Sequence, residues 1–74
     1  MAPTTIISLG ALEVGDQFKK SPTGVTWEVE SIKDSPWVDN YRRYQCFAVE
    51  SGKPELMSNL YTVWVPEELA NARR

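Results

Sequence analysis

The fold of this chain is decided by the stretch SPTGVTWEVE, residues 21–30. Its first four residues place Ser, Pro and Gly at the first, second and fourth positions of a type I turn, and we expect Gly24 to take a positive φ where the turn closes a hairpin. The six residues that follow alternate strictly, so that Val25, Trp27 and Val29 share one face and polar residues share the other. This pattern predicts a half-buried antiparallel strand.

Further strand-like segments lie on both sides of this hairpin. Ile32 falls on the opposite parity to Val29, so we expect the strand to bend or bulge near Ser31. The segment Ser51-Gly52-Lys53-Pro54 predicts a second hairpin turn. The remaining strand candidates are Thr4–Leu9, Gln17–Lys20, Tyr41–Glu50, Glu55–Leu60 and Tyr61–Val65.

The end of the sequence, residues 66–74, predicts a different kind of element. Pro66 suits the first position of a helix, acidic residues follow in the first turn, and two arginines stand in the last turn. Leu69 and Ala72 are three residues apart, so both can lie against the barrel. A helix this short is not stable alone and must dock onto the rest of the fold.

These elements predict an all-β fold, a small barrel of five or six short antiparallel strands with a short C-terminal helix, formed by one domain over residues 1–74. Short strands in so small a chain must curl around one core and leave few open edges. The sequence resembles the SH3-like small barrels. The residues that carry the resemblance, within residues 9–32, are Leu12-x-Val14-Gly15-Asp16-x-Phe18 and Gly24-x-x-Trp27-x-Val29. Because members similar to KOW or Tudor modules bind RNA, ribosomal proteins or modified peptides, the resemblance implies a binding role.

The composition argues against an enzyme. The chain has no histidine, which removes the commonest general base and metal ligand, and its four glycines are not arranged as a phosphate-binding loop. Cys46 is expected to be a small buried hydrophobic residue rather than a reactive thiol. Glu28 and Glu30 share a face and are expected to be solvated rather than a catalytic pair. We therefore expect no catalytic, cofactor-binding or metal-binding residues.

The sequence also gives an expectation for the cellular compartment of the protein. A single cysteine cannot form an intramolecular disulfide, which fits a reducing cytoplasm. The first eight residues lack the basic start and apolar run of a secretory signal, and no apolar stretch approaches the ~20 residues of a membrane helix. We expect a cytoplasmic protein without a membrane partner. Short non-enzymatic chains of this kind are frequent in bacteria and their phages.

The candidate functional segment is Trp37-Val38-Asp39-Asn40-Tyr41-Arg42-Arg43-Tyr44. Trp, Tyr and Arg dominate binding hot spots, and three of the eight aromatic residues fall within these eight positions. The predicted partner-binding residues are Trp37, Tyr41, Arg42, Arg43 and Tyr44.

Two kinds of partner fit this segment. The first hypothesis is a protein-binding regulator or adaptor, which suits the net charge of −2 and the flanking Asp34 and Asp39. The alternative is a nucleic-acid binder, in which the aromatic residues stack on bases and the arginines, with Lys33, contact phosphates. A purely structural interpretation also stays open, in which Trp37 caps one barrel end and Tyr44 packs inside. The exposure of Trp64 is not decided by its strand parity.

Overall fold

The computed structural model describes residues 3–73, which form six strands, one 3-10 turn and one helix. The strands are β1 (Thr4–Ser8), β2 (Gln17–Lys19), β3 (Thr26–Asp34), β4 (Arg42–Ala48), β5 (Pro54–Ser58) and β6 (Thr62–Pro66). The 3-10 turn, Leu9–Ala11, follows β1, and the helix α1, Glu67–Arg73, follows β6.

All six strands belong to one antiparallel sheet in the order β1-β6-β2-β3-β4-β5. The all-β class with a short C-terminal helix is confirmed. A closed barrel is not, because no strand pairing within residues 3–73 joins the edge strands β1 and β5. In place of a closing ladder, a single residue, Asn59, hydrogen-bonds to the backbone of Arg42 on one side and of Gly10 on the other.

The core lies on one face of this sheet. Trp27 and Val29 are buried as their alternation predicts, and the expected bulge is present between Val29 and Ser31, where the β3–β4 register shifts. In β4 the buried face is the one that carries Tyr44 and Cys46. The core residues are Leu9, Leu12, Phe18, Trp27, Val29, Tyr44, Cys46, Ala48, Met57, Val63, Val65 and Ala70.

The turn before β3 forms as predicted, but the backbone conformation of Gly24 differs from the expected one. Gly24 N donates to Ser21 O at 3.1 Å, as a type I turn requires. The prediction of a positive φ at Gly24 is wrong, since the glycines with positive φ in the described chain are Gly15 and Gly52. A Cβ at Gly24 would lie 2.8 Å from Ser21 Oγ, so a larger residue there would need the exposed Ser21 side chain to rotate away. Val25 precedes the strand and is exposed, not part of its buried face.

The helix α1 docks through a face other than the expected one. Ala70 is fully buried and Leu69 packs beside it, whereas Ala72 is exposed, so the prediction for Ala72 is wrong. Arg73 fixes the far end, because its Nε and Nη2 donate to the two carboxylate oxygens of Asp16 at 2.8 and 2.9 Å. Arg74, also expected in the helix, lies outside the described residues. No described helix has the length and apolar character needed to cross a membrane.

Candidate partner-binding loop

The loop between β3 and β4, residues 35–41, is braced by hydrogen bonds within itself. Ser35 N donates to Tyr41 O at 2.9 Å, which closes the base of the loop. Trp37 N donates to Ser35 Oγ at 3.3 Å, a local turn typical of serine. Asn40 turns the chain back with φ of 59°, a conformation that asparagine tolerates better than most residues. These bonds give the loop a defined shape at the end of the sheet.

The tip of this loop presents two apolar side chains to solvent. Trp37 is 88% exposed and Val38 is 56% exposed. Large aromatic side chains normally bury most of their surface, so a tryptophan exposed to this degree is informative. We refer to Trp37 and Val38 together as the apolar tip. The interpretation in which Trp37 caps one end of the core does not agree with its exposure.

The turn between β5 and β6 is hydrogen-bonded to the base of the loop. Asn59, between β5 and β6, donates from Nδ2 to Asn40 O at 3.1 Å and accepts at Oδ1 from Arg42 N at 3.0 Å. Its backbone N also donates to Arg42 O at 3.0 Å, and its carbonyl accepts from Gly10 N and from Ser8 Oγ. Asn59 therefore joins two other parts of the chain, residues 8–10 and 40–42, and fixes the base of the loop to its own turn.

Two of the predicted partner-binding residues are directed into the protein. Tyr44 has no exposed surface, and its hydroxyl lies 3.0 Å from Leu12 O and 3.1 Å from Gly10 O. Burial raises the pKa of this hydroxyl, and the nearby positive charge of Arg42 lowers it to a smaller extent. The placement of Tyr44 on a binding surface is therefore corrected: it is a core residue. Arg42 is half-buried, and its Nη2 donates to Gly10 O at 2.8 Å.

The other predicted residues keep accessible surface. Arg43 is exposed on the opposite face of β4 from Arg42, because successive residues of a strand alternate. Tyr41 is half-buried and lines a cleft of about 520 Å³ beneath the loop. The cleft is bounded by Asp34, Ser35, Val38, Asp39, Asn40, Tyr41, Arg42 and Asn59. The structure thus brings Trp37, Tyr41 and Arg43 to one end of the sheet but not to one contiguous pocket.

Local sequence patterns do not indicate two residues that belong to this end of the molecule. Asn59 is 17 positions from Arg42 and 51 from Ser8, so no local pattern reveals its partners. Leu60 is 72% exposed and follows Asn59 directly, which places a third apolar side chain on the turn beside the loop. The sequence indicates a turn here only through the pair Ser58-Asn59, whose residue types favour turns.

A second, more apolar cleft of about 470 Å³ lies between β2, β6 and the helix. Half-buried Trp64 lines it together with Phe18 and Leu69, which answers the open question of where Trp64 lies. Asp16 stands at its border, where the Arg73 hydrogen bonds hold the pKa of the carboxyl below its ordinary value. The Trp64 side chain therefore packs along this cleft and not at the loop end.

The remaining chemical candidates are placed away from both clefts. Cys46 is buried, its thiol donates to Tyr44 O at 3.7 Å, and burial, with a smaller contribution from Glu55, raises its pKa to about 11. A thiol with this pKa is protonated at neutral pH and is a weak nucleophile. Among residues 3–73, no three acidic or cysteine side chains are grouped in a way that could hold a metal ion.

Comparison with known proteins gives no relative of this chain: no family model, no curated protein and no solved structure matches it.

Proposed function

We propose that this chain is a non-enzymatic protein-binding module, a regulator or adaptor that docks on a partner through the apolar tip. The observation that carries the proposal is the 88% exposure of Trp37 on a loop that hydrogen bonds hold in shape. A loop that is already ordered loses less conformational entropy when it binds, which favours affinity. Burial of an exposed tryptophan in a partner's pocket is a common source of binding energy at protein interfaces.

The tip is one part of a wider apolar end. Val38 adjoins Trp37, and Leu60 lies on the turn that Asn59 fastens to the same loop. Interfaces typically combine a few anchors with neighbouring contacts that exclude water. Arg43 and half-buried Tyr41 supply polar groups at the edge of this surface. A protein partner accounts for all of these features.

A nucleic-acid partner is less well supported. Base stacking would use the aromatic side chains of the segment, but Tyr44 is buried and only Trp37 offers a fully accessible ring. Phosphate contacts would need several free cations, and Arg42 is engaged with Gly10 O. Asp34 and Asp39 also border the cleft beneath the loop. These observations favour protein over nucleic acid as the partner class.

We also propose that the fold is related to the SH3-like small barrels, in an open form. The support is that the aromatic residues of the two motif halves, Phe18 and Trp27, are directly paired across β2 and β3 and are both buried. The relation adds a precedent for binding but does not name a ligand.

The test is affinity capture from a native lysate with the parent chain, Trp37→Ala and Val25→Ala. Val25 is a matched control, because it is an exposed apolar residue on a different turn. We expect a protein that survives nuclease treatment, is retained by Val25→Ala and is lost with Trp37→Ala. With the purified partner, Trp37→Ala should weaken binding by roughly 2–4 kcal/mol, as expected of an interface anchor. Equal binding by all three chains, or loss on nuclease treatment, would contradict the proposal.

A further inference from the structure

The outer face of the sheet carries two positive charges placed directly opposite each other. Lys33 in β3 and Arg43 in β4 are Cα partners in the antiparallel ladder, and both are exposed. Side chains at such positions start about 5 Å apart, and like charges there destabilise the sheet. In a chain with a net charge of −2, this arrangement is not explained by folding stability.

Neither charge is neutralised within the described part of the chain. The side chains of Lys33 and Arg43 form no ion pair or hydrogen bond there, in contrast to Arg42, which donates to Gly10 O, and Lys20, which pairs with Glu55. The nearest acid in sequence, Asp34, follows Lys33 and so lies on the other face of the strand. The two cations are therefore available to a ligand.

A hollow of about 350 Å³ is lined by both cations. Ser31, Gln45 and the exposed residue Leu56 complete its lining, and Gln45 keeps one N–H free because its Nε2 donates the other to Cys46 O at 3.4 Å. Two cations and two neutral hydrogen-bond donors form a complementary environment for carboxylate oxygens, and the Arg guanidinium can bind a carboxylate with two hydrogen bonds. Leu56 offers apolar surface for the methylene groups of a glutamate.

The hollow lies next to the two ends of the loop that bears the apolar tip. Lys33 stands two residues before the loop and Arg43 two residues after it, so both cations lie at its base. We propose that the hollow binds carboxylate side chains of an acidic segment in the protein that the apolar tip anchors. This inference rests on the proposed function and deepens it, since it states the charge of the partner surface.

The small number of cations favours an acidic protein segment over nucleic acid. Binding to a phosphate backbone is strong where many phosphates are contacted, about 6–10 in a strongly salt-dependent complex, whereas this hollow offers two free cations. Two cations match one or two carboxylates of a peptide laid along the strand. The contacts are exposed, so they set orientation and association rate and weaken in salt.

The experiment uses the ¹⁵N-labelled full chain and a peptide of six glutamates as the probe. We expect amide shifts concentrated at Ser31, Lys33, Arg43, Gln45 and Leu56, which decrease as salt is added. The double variant Lys33→Gln, Arg43→Gln should weaken binding of the peptide about tenfold, the order expected for two exposed ion pairs. Its melting temperature should not fall, because a repulsive pair has been removed.

The matched control is Lys19→Gln, Lys53→Gln, which removes the same charge at other positions and should bind the peptide as the parent does. Equal weakening by the control would show nonspecific attraction and overturn the inference. Stronger shifts of the same residues with inorganic phosphate or a thymidine hexanucleotide would overturn it in favour of a phosphate ligand. If a captured partner is lost with Trp37→Ala but retained by Lys33→Gln, Arg43→Gln, the proposed function stands and this inference fails.

Discussion

Asn59→Ala is the substitution that tests the account of the loop most directly. The change removes Oδ1, which accepts from Arg42 N at 3.0 Å, and Nδ2, which donates to Asn40 O at 3.1 Å. The backbone bonds of residue 59 can remain, so the loss is confined to the side chain. Arg42 N is partly buried and is left without its acceptor, a loss that typically costs about 1–3 kcal/mol. Asn40 is exposed, so water can replace the second bond and its loss costs less.

Together these losses amount to about 2–3 kcal/mol, a large share of the roughly 4–11 kcal/mol expected for a domain of 74 residues. Because 1 kcal/mol shifts the melting temperature of such a domain by about 4–8 °C, we expect a decrease of about 10–20 °C. Thermal unfolding followed by circular dichroism and urea unfolding followed by tryptophan fluorescence measure the change. Hydrogen exchange should also show faster exchange of the Arg42 amide, even where the rest of the sheet stays protected.

The control is Gln17→Ala, which removes an exposed side-chain hydrogen bond to Glu28 and should change stability by less than about 0.5 kcal/mol. A melting temperature of Asn59→Ala within a few degrees of the parent would refute the idea that this side chain holds the loop. An unchanged exchange rate at Arg42 would refute it as well.

Three further predictions concern the core, the buried thiol and the helix. Trp27→Ala should lose roughly 3–5 kcal/mol and unfold at moderate temperature, and a melting curve within a few degrees of the parent would contradict its core role. Cys46 should react with a thiol reagent at pH 8 only as fast as the protein opens, because it is fully buried and burial raises the pKa of its thiol to about 11; immediate reaction in the folded protein would be inconsistent with its burial. Asp16 has a lowered pKa, so its pairing with Arg73 stabilises the fold above its ordinary pKa of about 3.9, and this contribution is lost as the pH falls through its folded value. Asp16→Asn should therefore lower the melting temperature at pH 7, and the difference from the parent should close in acid; a gap that is the same at pH 7 and pH 2 would argue against this pairing.

The parts of the fold that depend on local patterns were predictable. Strict alternation places Trp27 and Val29 in the core, and the parity of Ile32 predicts the bulge beside Ser31. The turn at Ser21–Gly24 follows from residue types that favour one backbone geometry. In each case the residues that determine the local structure are close together in the chain, so the sequence alone is sufficient to predict it.

The parts that depend on distant partners were not predictable. Arg42 and Tyr44 have the composition of a binding site, but carbonyl groups near Gly10, more than 30 positions away, draw both side chains inward. The positive φ expected at Gly24 is wrong, and a turn-type rule also does not contain the close approach of this position to Ser21 Oγ. Residue types predict which groups can bind, but tertiary contacts decide which of them remain free.

The pairing of β1 with β6 has a consequence for the order in which the strands assemble. Thr4 pairs with Pro66 and Ser8 with Thr62, whereas β3 and β4 are joined by a short loop. Closing the longer loop costs about 2 kcal/mol more in chain entropy, so we expect the β3–β4 hairpin to form early and β1 to be paired last. During synthesis on a ribosome, the uncharged, largely β-branched strand Thr4–Ser8 has no native partner strand until β6 has emerged. Throughout that interval it is the segment of the chain most exposed to pairing with the wrong neighbour.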